Sequence, residues 1–234
     1  MARLPRLCIP GQLHHVLWRG ASGQVVFVDD EDRAAFLEHL AQVAAQHRLA
    51  IHAWALMPDH IHLLLTPQDA VGLSAGMQAL GRRHVQTFNR RHARRGTLWE
   101  GRYRSTVLES DPWLLRAMVW MDTHPQRSGA VADGAGAHPW VSAAHYLGQS
   151  SHRLLTVPPQ YWALGNTPFA REAAYRTLLE QGCAPAHVQA LAQAALKGWV
   201  LGSEAFVAAL QSGTPRRLQP GRPGRPPRMA ESTA

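Results

Sequence analysis

Hydrophobic and polar positions divide the first 124 residues into strands and helices. Residues 12–19, 50–57, 60–66 and 103–109 have the short apolar runs of β-strands. The Pro58-Asp59 turn signal between the second and third runs implies an antiparallel hairpin. Helical spacing follows Asp29-Asp30 and recurs over 72–94 and 111–124. The order β-α-β-β-α-β-α is typical of an α+β fold with a ferredoxin-like antiparallel sheet and one additional helix.

The pattern changes after about residue 150. Residues 168–181 and 184–197 have helical spacing, whereas 212–234 are rich in Pro, Gly and Arg and nearly devoid of apolar residues. Such a segment cannot form a core of its own. We therefore predict a domain over 1–149, a helical extension over 150–211 and a disordered basic tail over 212–234.

Composition narrows the class of protein. Apolar residues make up 46% of the 234 residues, which is enough for a core, and 24 basic residues against 16 acidic ones give a net charge of +8. This excess indicates a polyanionic partner. Cys8 and Cys183 are far apart in the sequence, which predicts free thiols in a reducing, cytoplasmic compartment. No apolar run reaches the roughly 18 residues of a membrane span.

An arginine-rich segment lies between residues 82 and 104. Glu100 is its only acidic residue, and Phe88, Trp99 and Tyr103 are interleaved with the arginines. Basic groups alternating with aromatic rings predict a path for single-stranded nucleic acid. The alternative is a solvated helix face with inward-packed aromatics, which we expect of Phe88. The predicted DNA-binding arginines are Arg82, Arg83, Arg90, Arg91, Arg94, Arg95, Arg102 and Arg104.

The tail has a second basic feature. Arg222 and Arg225 lie in Gly-Arg-Pro repeats, which resemble the core of an AT-hook, an extended segment that enters narrow minor grooves. The alternative is a generic solubilising tail. Either would add nonspecific affinity for DNA.

Three histidines are the candidate metal ligands. His60 and His62 alternate on one strand, so they share a face with Cα atoms roughly 7 Å apart. Trp120 and His124 lie one helical turn apart. If this helix crosses the sheet near the pair, His124 supplies a third ligand. The alternatives are packed or surface histidines on an amphipathic strand, and a His124 that ends its helix beside Pro125.

A family resemblance extends over about residues 1–149. It is carried by PGQLHHV (10–16) with Arg19-Gly20, the helix start at 29–36, LMPDHIHLLL (56–65), FNRRH (88–92), EGRY (100–103), Pro139-Trp140 and YLG (146–148). These segments resemble the REP-associated tyrosine transposases, a branch of the IS200-like single-tyrosine HUH family. Residues 161–212 also resemble an extension common in one subgroup.

The resemblance implies a chemistry. In that family the histidine pair binds a divalent metal, usually Mg or Mn, which polarises the scissile phosphate. A tyrosine on the later helix attacks the phosphate and forms a 5′-phosphotyrosine link, and a polar residue four positions later completes the metal site. The substrate is single-stranded DNA beside an imperfect hairpin. The implied function is metal-dependent nicking and rejoining of DNA during transposition.

Two positions depart from the family pattern. The family helix ends Tyr-x-x-x-Asn-Pro-x-Arg-x-Gly, and Pro125, Arg127 and Gly129 fix the register here. His124 then replaces the asparagine, which shifts the metal preference toward softer ions such as Mn, Ni or Zn. Trp120 replaces the nucleophile and is not expected to react, because an indole nitrogen is only a donor. We expect Trp120 to fill the space and stack on a base.

Several functions remain open at this point. The chain is a DNA-binding protein without tyrosyl chemistry, a water-using metal-dependent DNA nuclease on the same site, or an enzyme with a substitute nucleophile. Tyr103 is the best-placed substitute, although the family keeps a tyrosine there beside its nucleophile. A small zinc hydrolase, with Asp59 or Asp122 as general base, is a further alternative, but it does not explain the arginines. The oligomeric state stays undetermined.

Overall fold

The computed structural model describes residues 7–129 and 138–220. Four strands and two long helices form the first part of the fold. The strands are β1 (Leu13–Arg19), β2 (Leu49–Leu56), β3 (His60–Pro67) and β4 (Arg104–Leu108). The helices among them are α1 (Asp30–Gln46) and α2 (Gly72–Arg91), with a 3-10 turn at Ala21–Gly23. These bounds lie within three residues of the predicted ones.

The regular elements in the rest of the described chain are all helices. They are α3 (Ser110–Asp122), α4 (His124–Arg127), α5 (Ala143–Tyr146), α6 (Pro159–Trp162), α7 (Pro168–Gln181), α8 (Pro185–Lys197) and α9 (Glu204–Gln211). The predicted helix over 111–124 is thus two elements, since α3 ends at Asp122 and α4 begins at His124. Across residues 7–129 and 138–220, every helix is too short or too polar to span a bilayer.

The four strands form one antiparallel sheet. Its order is β2-β3-β1-β4, and β1 pairs with β3 so that Arg19 faces His60 and Leu17 faces His62. β4 pairs with the other side of β1 and is an edge strand. This order confirms the predicted ferredoxin-like sheet.

The two faces of the sheet carry separate cores. Side chains alternate along a strand, so Ile61, Leu63 and Leu65 point to the face that α1 and α2 cover. Leu64 points the other way and packs with residues of α3 and of the C-terminal helices. His60 and His62 share the side of Leu64, and β3 therefore presents them to α3.

The C-terminal extension covers α3 and the free edge of β4. Leu201 N donates to Val107 O at 2.9 Å and Leu201 O accepts from Glu109 N at 2.8 Å, so main-chain groups of the edge strand are paired. The predicted helices at 168–181 and 184–197 are α7 and α8. Helix α9 was not predicted, although Ser203 caps it by accepting from Phe206 N, a signal readable in the sequence.

Asp122 joins the extension to α3. Its carboxyl group is buried, and it accepts hydrogen bonds from the hydroxyl groups of Tyr175 at 2.6 Å and Ser142 at 3.0 Å. Burial raises the pKa of Asp122 to about 7, although both hydroxyl groups act in the opposite direction. A buried carboxyl group held by two donors fixes the end of α3, two residues before His124.

Tyr175→Phe should destabilise the protein by about 1–3 kcal/mol, because it leaves a buried acceptor of Asp122 without its donor. Urea unfolding followed by circular dichroism measures this change in the free energy of unfolding. In an Asp122→Asn background the same substitution should cost less, since the interaction is already altered. Equal losses in the two backgrounds would show that Tyr175 acts through packing alone.

Candidate metal centre

Three imidazole rings converge between β3 and the end of α3. The ring centroids of His60, His62 and His124 are 5.0–5.1 Å apart in every pairing. Each ring offers one nitrogen such that all three nitrogens lie within 4.8 Å of one another, a group that could hold a metal ion. His60 Nε2 and His124 Nε2 are separated by 2.9 Å. The structure therefore brings together the three histidines that the sequence singled out.

Neighbouring groups orient two of these rings. Asp59 Oδ1 lies 2.6 Å from His60 Nδ1, which leaves Nε2 of that ring toward His124. A carboxylate behind a histidine is the usual support of a metal ligand. His62 Nδ1 lies 2.9 Å from Nε2 of His15, and His15 is buried in the sheet. His15 was missed as a site residue, because its contact depends on the pairing of β1 with β3.

Burial keeps these imidazoles neutral. Desolvation lowers the pKa of His124 to about 4, with a further contribution from His60. It lowers the pKa of His15 to about 3 and moves that of His62 well below the ordinary value. The pKa of His60 is also lowered by burial, and the hydrogen bond to Asp59 partly offsets this. Neutral rings have lone pairs available for a metal at pH 7.

Two arginines that were not predicted to be site residues lie beside the histidines. Arg19 is exposed, pairs in register with His60, and its positive charge contributes to the lowered pKa of His60, His62 and His124. Arg127 lies over the ring of Trp120 at 5.4 Å and donates to Trp120 O at 2.7 Å. Arg127 also contacts the cluster directly, since one of its guanidinium nitrogens lies 3.4 Å from His124 Nδ1.

Trp120 is buried among these rings. Only 5% of it is exposed, and its ring meets those of His62 at 5.0 Å and His15 at 5.4 Å edge to face. The expectation that Trp120 stacks on a DNA base is therefore wrong, since protein rings already enclose the indole. Trp120 does fill the space beside the histidines, as expected.

The four tyrosines of the chain have other partners. Tyr103 lies in the core beneath α1 and α2, on the opposite face of the sheet from the histidines, with its hydroxyl 3.3 Å from that of Ser74. This location contradicts a role for Tyr103 as substitute nucleophile. The hydroxyls of Tyr146, Tyr161 and Tyr175 donate to His52 O, Tyr146 O and Asp122.

The carboxylates considered as general bases are also occupied. Asp122 is buried against Tyr175 and Ser142, and Asp59 supports the ring of His60. The burial of Asp122 disfavours it as a general base, whereas the side chain of Asp59 is 49% exposed.

The arginine-rich segment does not form one continuous path. Arg91 binds the carboxylates of Asp29, Glu31 and Asp32 at the start of α1, which removes it from the predicted DNA-binding set. Phe88, Trp99 and Tyr103 are buried. Three further side chains donate to protein groups, namely Arg83 to Gln42, Arg94 to Gln24 and Arg104 to Leu196 O. The exposed members are Arg82, Arg90, Arg95 and Arg102. Arg222 and Arg225 lie outside the described residues.

The comparisons with known proteins agree with the predicted resemblance. Residues 10–114 match the family model described as "Transposase IS200 like". The solved structure of a REP-associated tyrosine transposase bound to a REP hairpin is similar, with a TM-score of 0.56 and 12% identity over 68% of this chain and 92% of that chain. A structure assigned to a transposase from Deinococcus radiodurans R1 has 27% identity over 50% of this chain and 95% of that one, with a TM-score of 0.36. No curated protein matches the chain.

Arg91→Gln should lower the melting temperature, because Asp32, with a side chain only 1% exposed, would lose its guanidinium partner. Arg90→Gln is the matched control on the exposed side of α2 and should leave the melting temperature unchanged. Differential scanning calorimetry of the three proteins measures both. Equal melting temperatures for Arg91→Gln and wild type would contradict a structural role for the ion pairs.

Proposed function

We propose that this chain, whose residues 10–114 match the IS200-like transposase family model, binds hairpin-flanked single-stranded DNA at a divalent metal held by His60, His62 and His124. The carrying observation is the convergence of three neutral imidazoles beside two guanidinium groups. A bound metal would polarise a phosphate oxygen as a Lewis acid.

The donor set supports a metal of intermediate softness. Three nitrogens suit Mn, Ni or Zn better than Mg, which prefers oxygen ligands and keeps several waters. Mn belongs both to the ions that three nitrogen ligands suit and to the two metals, Mg and Mn, that the resemblance implies. Asp59 and His15 hold the rings of His60 and His62 in place before any metal arrives, so the site is preorganised.

The surrounding charge supports a phosphate ligand. Arg19 and Arg127 lie beside the histidines. A planar guanidinium group can bind two oxygens of one phosphate at the same time. The net charge of +8 supports a polyanion as a whole. A protein of the same fold was solved with a REP hairpin bound, and we propose the same class of ligand, a DNA hairpin with a single-stranded flank, for this chain.

Trp120 determines what the chain does to that DNA. Because the tryptophan occupies the position at which the resemblance places the nucleophile, we propose that the protein binds its DNA without forming a 5′-phosphotyrosine link. The alternative is a nuclease in which a water molecule attacks the phosphate. His124 in place of the family asparagine favours that alternative. A third imidazole should bind the metal more strongly than an asparagine does, in a site that lacks the nucleophilic tyrosine.

Wild-type protein should bind one Mn²⁺ per chain in isothermal titration calorimetry, and His60→Ala and His124→Ala should abolish this binding. His15→Gln should weaken it by roughly 10–100-fold, because His15 supports a ligand without being one. His39→Ala, on α1 and outside the cluster, is the control. Unchanged binding in a folded His60→Ala protein would refute the metal site.

Trp120→Tyr should restore covalent capture of DNA, because it returns a nucleophilic oxygen to a position beside the three histidines. The assay incubates protein, Mn²⁺ and labelled single-stranded DNA carrying the repeat hairpins from beside its own gene, and resolves the products on denaturing gels. Trp120→Phe and the double variant Trp120→Tyr/His60→Ala are the controls and should give no adduct.

The wild-type lane separates the two candidate functions. Intact DNA that shifts on a native gel supports a binding protein. Shortened DNA without an adduct, lost in His60→Ala, identifies the water-using nuclease. A covalent band with wild-type protein would contradict the assignment of Trp120 to the nucleophile position.

A further inference from the structure

The main-chain hydrogen bonds are interrupted directly before the third histidine. α3 ends at Asp122, and α4 begins at His124 with Pro125 as its second residue. In a continuous helix the residue at position 125 would donate to Met121 O, but proline has no N–H group. The helical hydrogen bonds of α3 therefore do not extend to His124.

One side chain spans this break. Arg127 of α4 reaches back to the last turn of α3, where it donates to Trp120 O at 2.7 Å and to Thr123 Oγ1. Trp120 O is the acceptor that His124 N would use in a continuous helix, so the guanidinium group replaces a main-chain donor. The same group lies over the indole ring of Trp120 at 5.4 Å, within the range of a cation–π contact. These contacts together hold the planar group in one orientation.

Arg127 also borders the ring of the third ligand. One of its guanidinium nitrogens lies 3.4 Å from His124 Nδ1, while Nε2 of that ring lies 2.9 Å from Nε2 of His60. Arginine has donors only, so it cannot accept a proton from Nδ1 as the carboxylate of Asp59 can for His60. Its support of His124 must therefore run through the main chain that joins α3 to α4.

We propose that Arg127 is a positioning residue of the metal centre, which holds the junction of α3 and α4 so that His124 meets the histidine pair on β3. The inference rests on the proposed function, since it concerns the same metal site. Such a role requires no contact of Arg127 with the metal or the DNA. It predicts that metal affinity depends on the geometry of the guanidinium group and not only on its charge.

Charge and position make opposite contributions to metal binding. A guanidinium group repels a divalent ion, so removal of the charge alone should strengthen metal binding. Loss of the contacts across the break should weaken metal binding, because a ligand that is no longer oriented binds less well. Arg19 has the charge without these contacts, since it belongs to β1 and its charge acts on all three histidines. Removal of Arg19 and removal of Arg127 should therefore change metal affinity in opposite directions.

The test titrates Mn²⁺ into the full chain by isothermal titration calorimetry. Arg127→Gln should lower the affinity for Mn²⁺ about tenfold, since an orienting group is lost. Arg19→Gln should raise the affinity about twofold, since only a repelling charge is lost. Arg127→Lys keeps the charge but cannot reproduce the planar fork, so it should lower the affinity as well. Wild-type affinity in Arg127→Lys would overturn the positioning role.

Arg116→Gln is the matched control. Arg116 lies on α3 and makes the same two kinds of contact, because it donates to Pro112 O at 2.6 Å and lies over the ring of Trp113 at 5.7 Å. Both partners belong to the first turn of α3, at the end of the helix away from the break. Arg116→Gln should therefore leave the affinity for Mn²⁺ unchanged. A loss equal to that of Arg127→Gln would show that any weakening of α3 lowers metal affinity, and would overturn the inference.

Co²⁺ provides a second measurement, because its visible absorption depends on the geometry of its ligands. With the site saturated, Arg19→Gln should keep the wild-type spectrum. Arg127→Gln should change the spectrum, because His124 no longer has a fixed place beside His60 and His62. An unchanged spectrum in Arg127→Gln would overturn the inference, since a destabilised protein with an intact site would give the same result.

These outcomes distinguish the inference from the proposed function. Wild-type protein that binds no Mn²⁺ would overturn the proposed function and the inference with it. Wild-type binding together with an equal or higher affinity in Arg127→Gln would overturn the inference alone and leave the proposed function standing. If circular dichroism shows that Arg127→Gln does not fold, the affinity of Arg127→Lys decides the matter.

Discussion

The antiparallel pairing of β1 with β3 is the constraint on which the site depends. It places Arg19 beside His60 and brings His15 to His62. Because side chains alternate, a slip of one residue would carry both histidines of β3 into the apolar core under α1 and α2. That core resists such a slip, since Ile61 and Leu63 are fully buried on the other side of the same strand. The buried apolar side chains of β3 therefore fix the position of His60 and His62 on the other face of the strand.

The third histidine depends on a different constraint. His124 follows α3, and α3 is held from behind by the extension through Asp122 and its two hydroxyl donors. A buried carboxyl group is costly unless it is hydrogen-bonded, and these two donors offset part of that cost. The extension thus contributes to the candidate site without contributing a ligand. This arrangement explains how a helix end can be placed accurately against a sheet formed far earlier in the sequence.

The sequence predicts those features that a local pattern determines. It does not predict those that depend on contacts between residues far apart in the chain. The strands, the long helices and the meeting of His60, His62 and His124 all follow from periodicity and a family register. The burial of Trp120 and the contact of His15 with His62 depend on how α3 and β1 approach β3, which no local pattern encodes. The same holds for Arg91, which belongs to a basic run in the sequence but binds three carboxylates in the fold.

Charge balance separates the remaining interpretations of the site. The three histidine ligands are neutral, and Asp59 is the carboxylate in contact with them, so a bound divalent ion would leave the centre strongly positive. Arg19 and Arg127 add to this charge instead of offsetting it. A negatively charged ligand would offset this charge, since opposite charges attract at close range. Metal and phosphate should therefore strengthen each other's binding, as expected of a site that binds a DNA backbone.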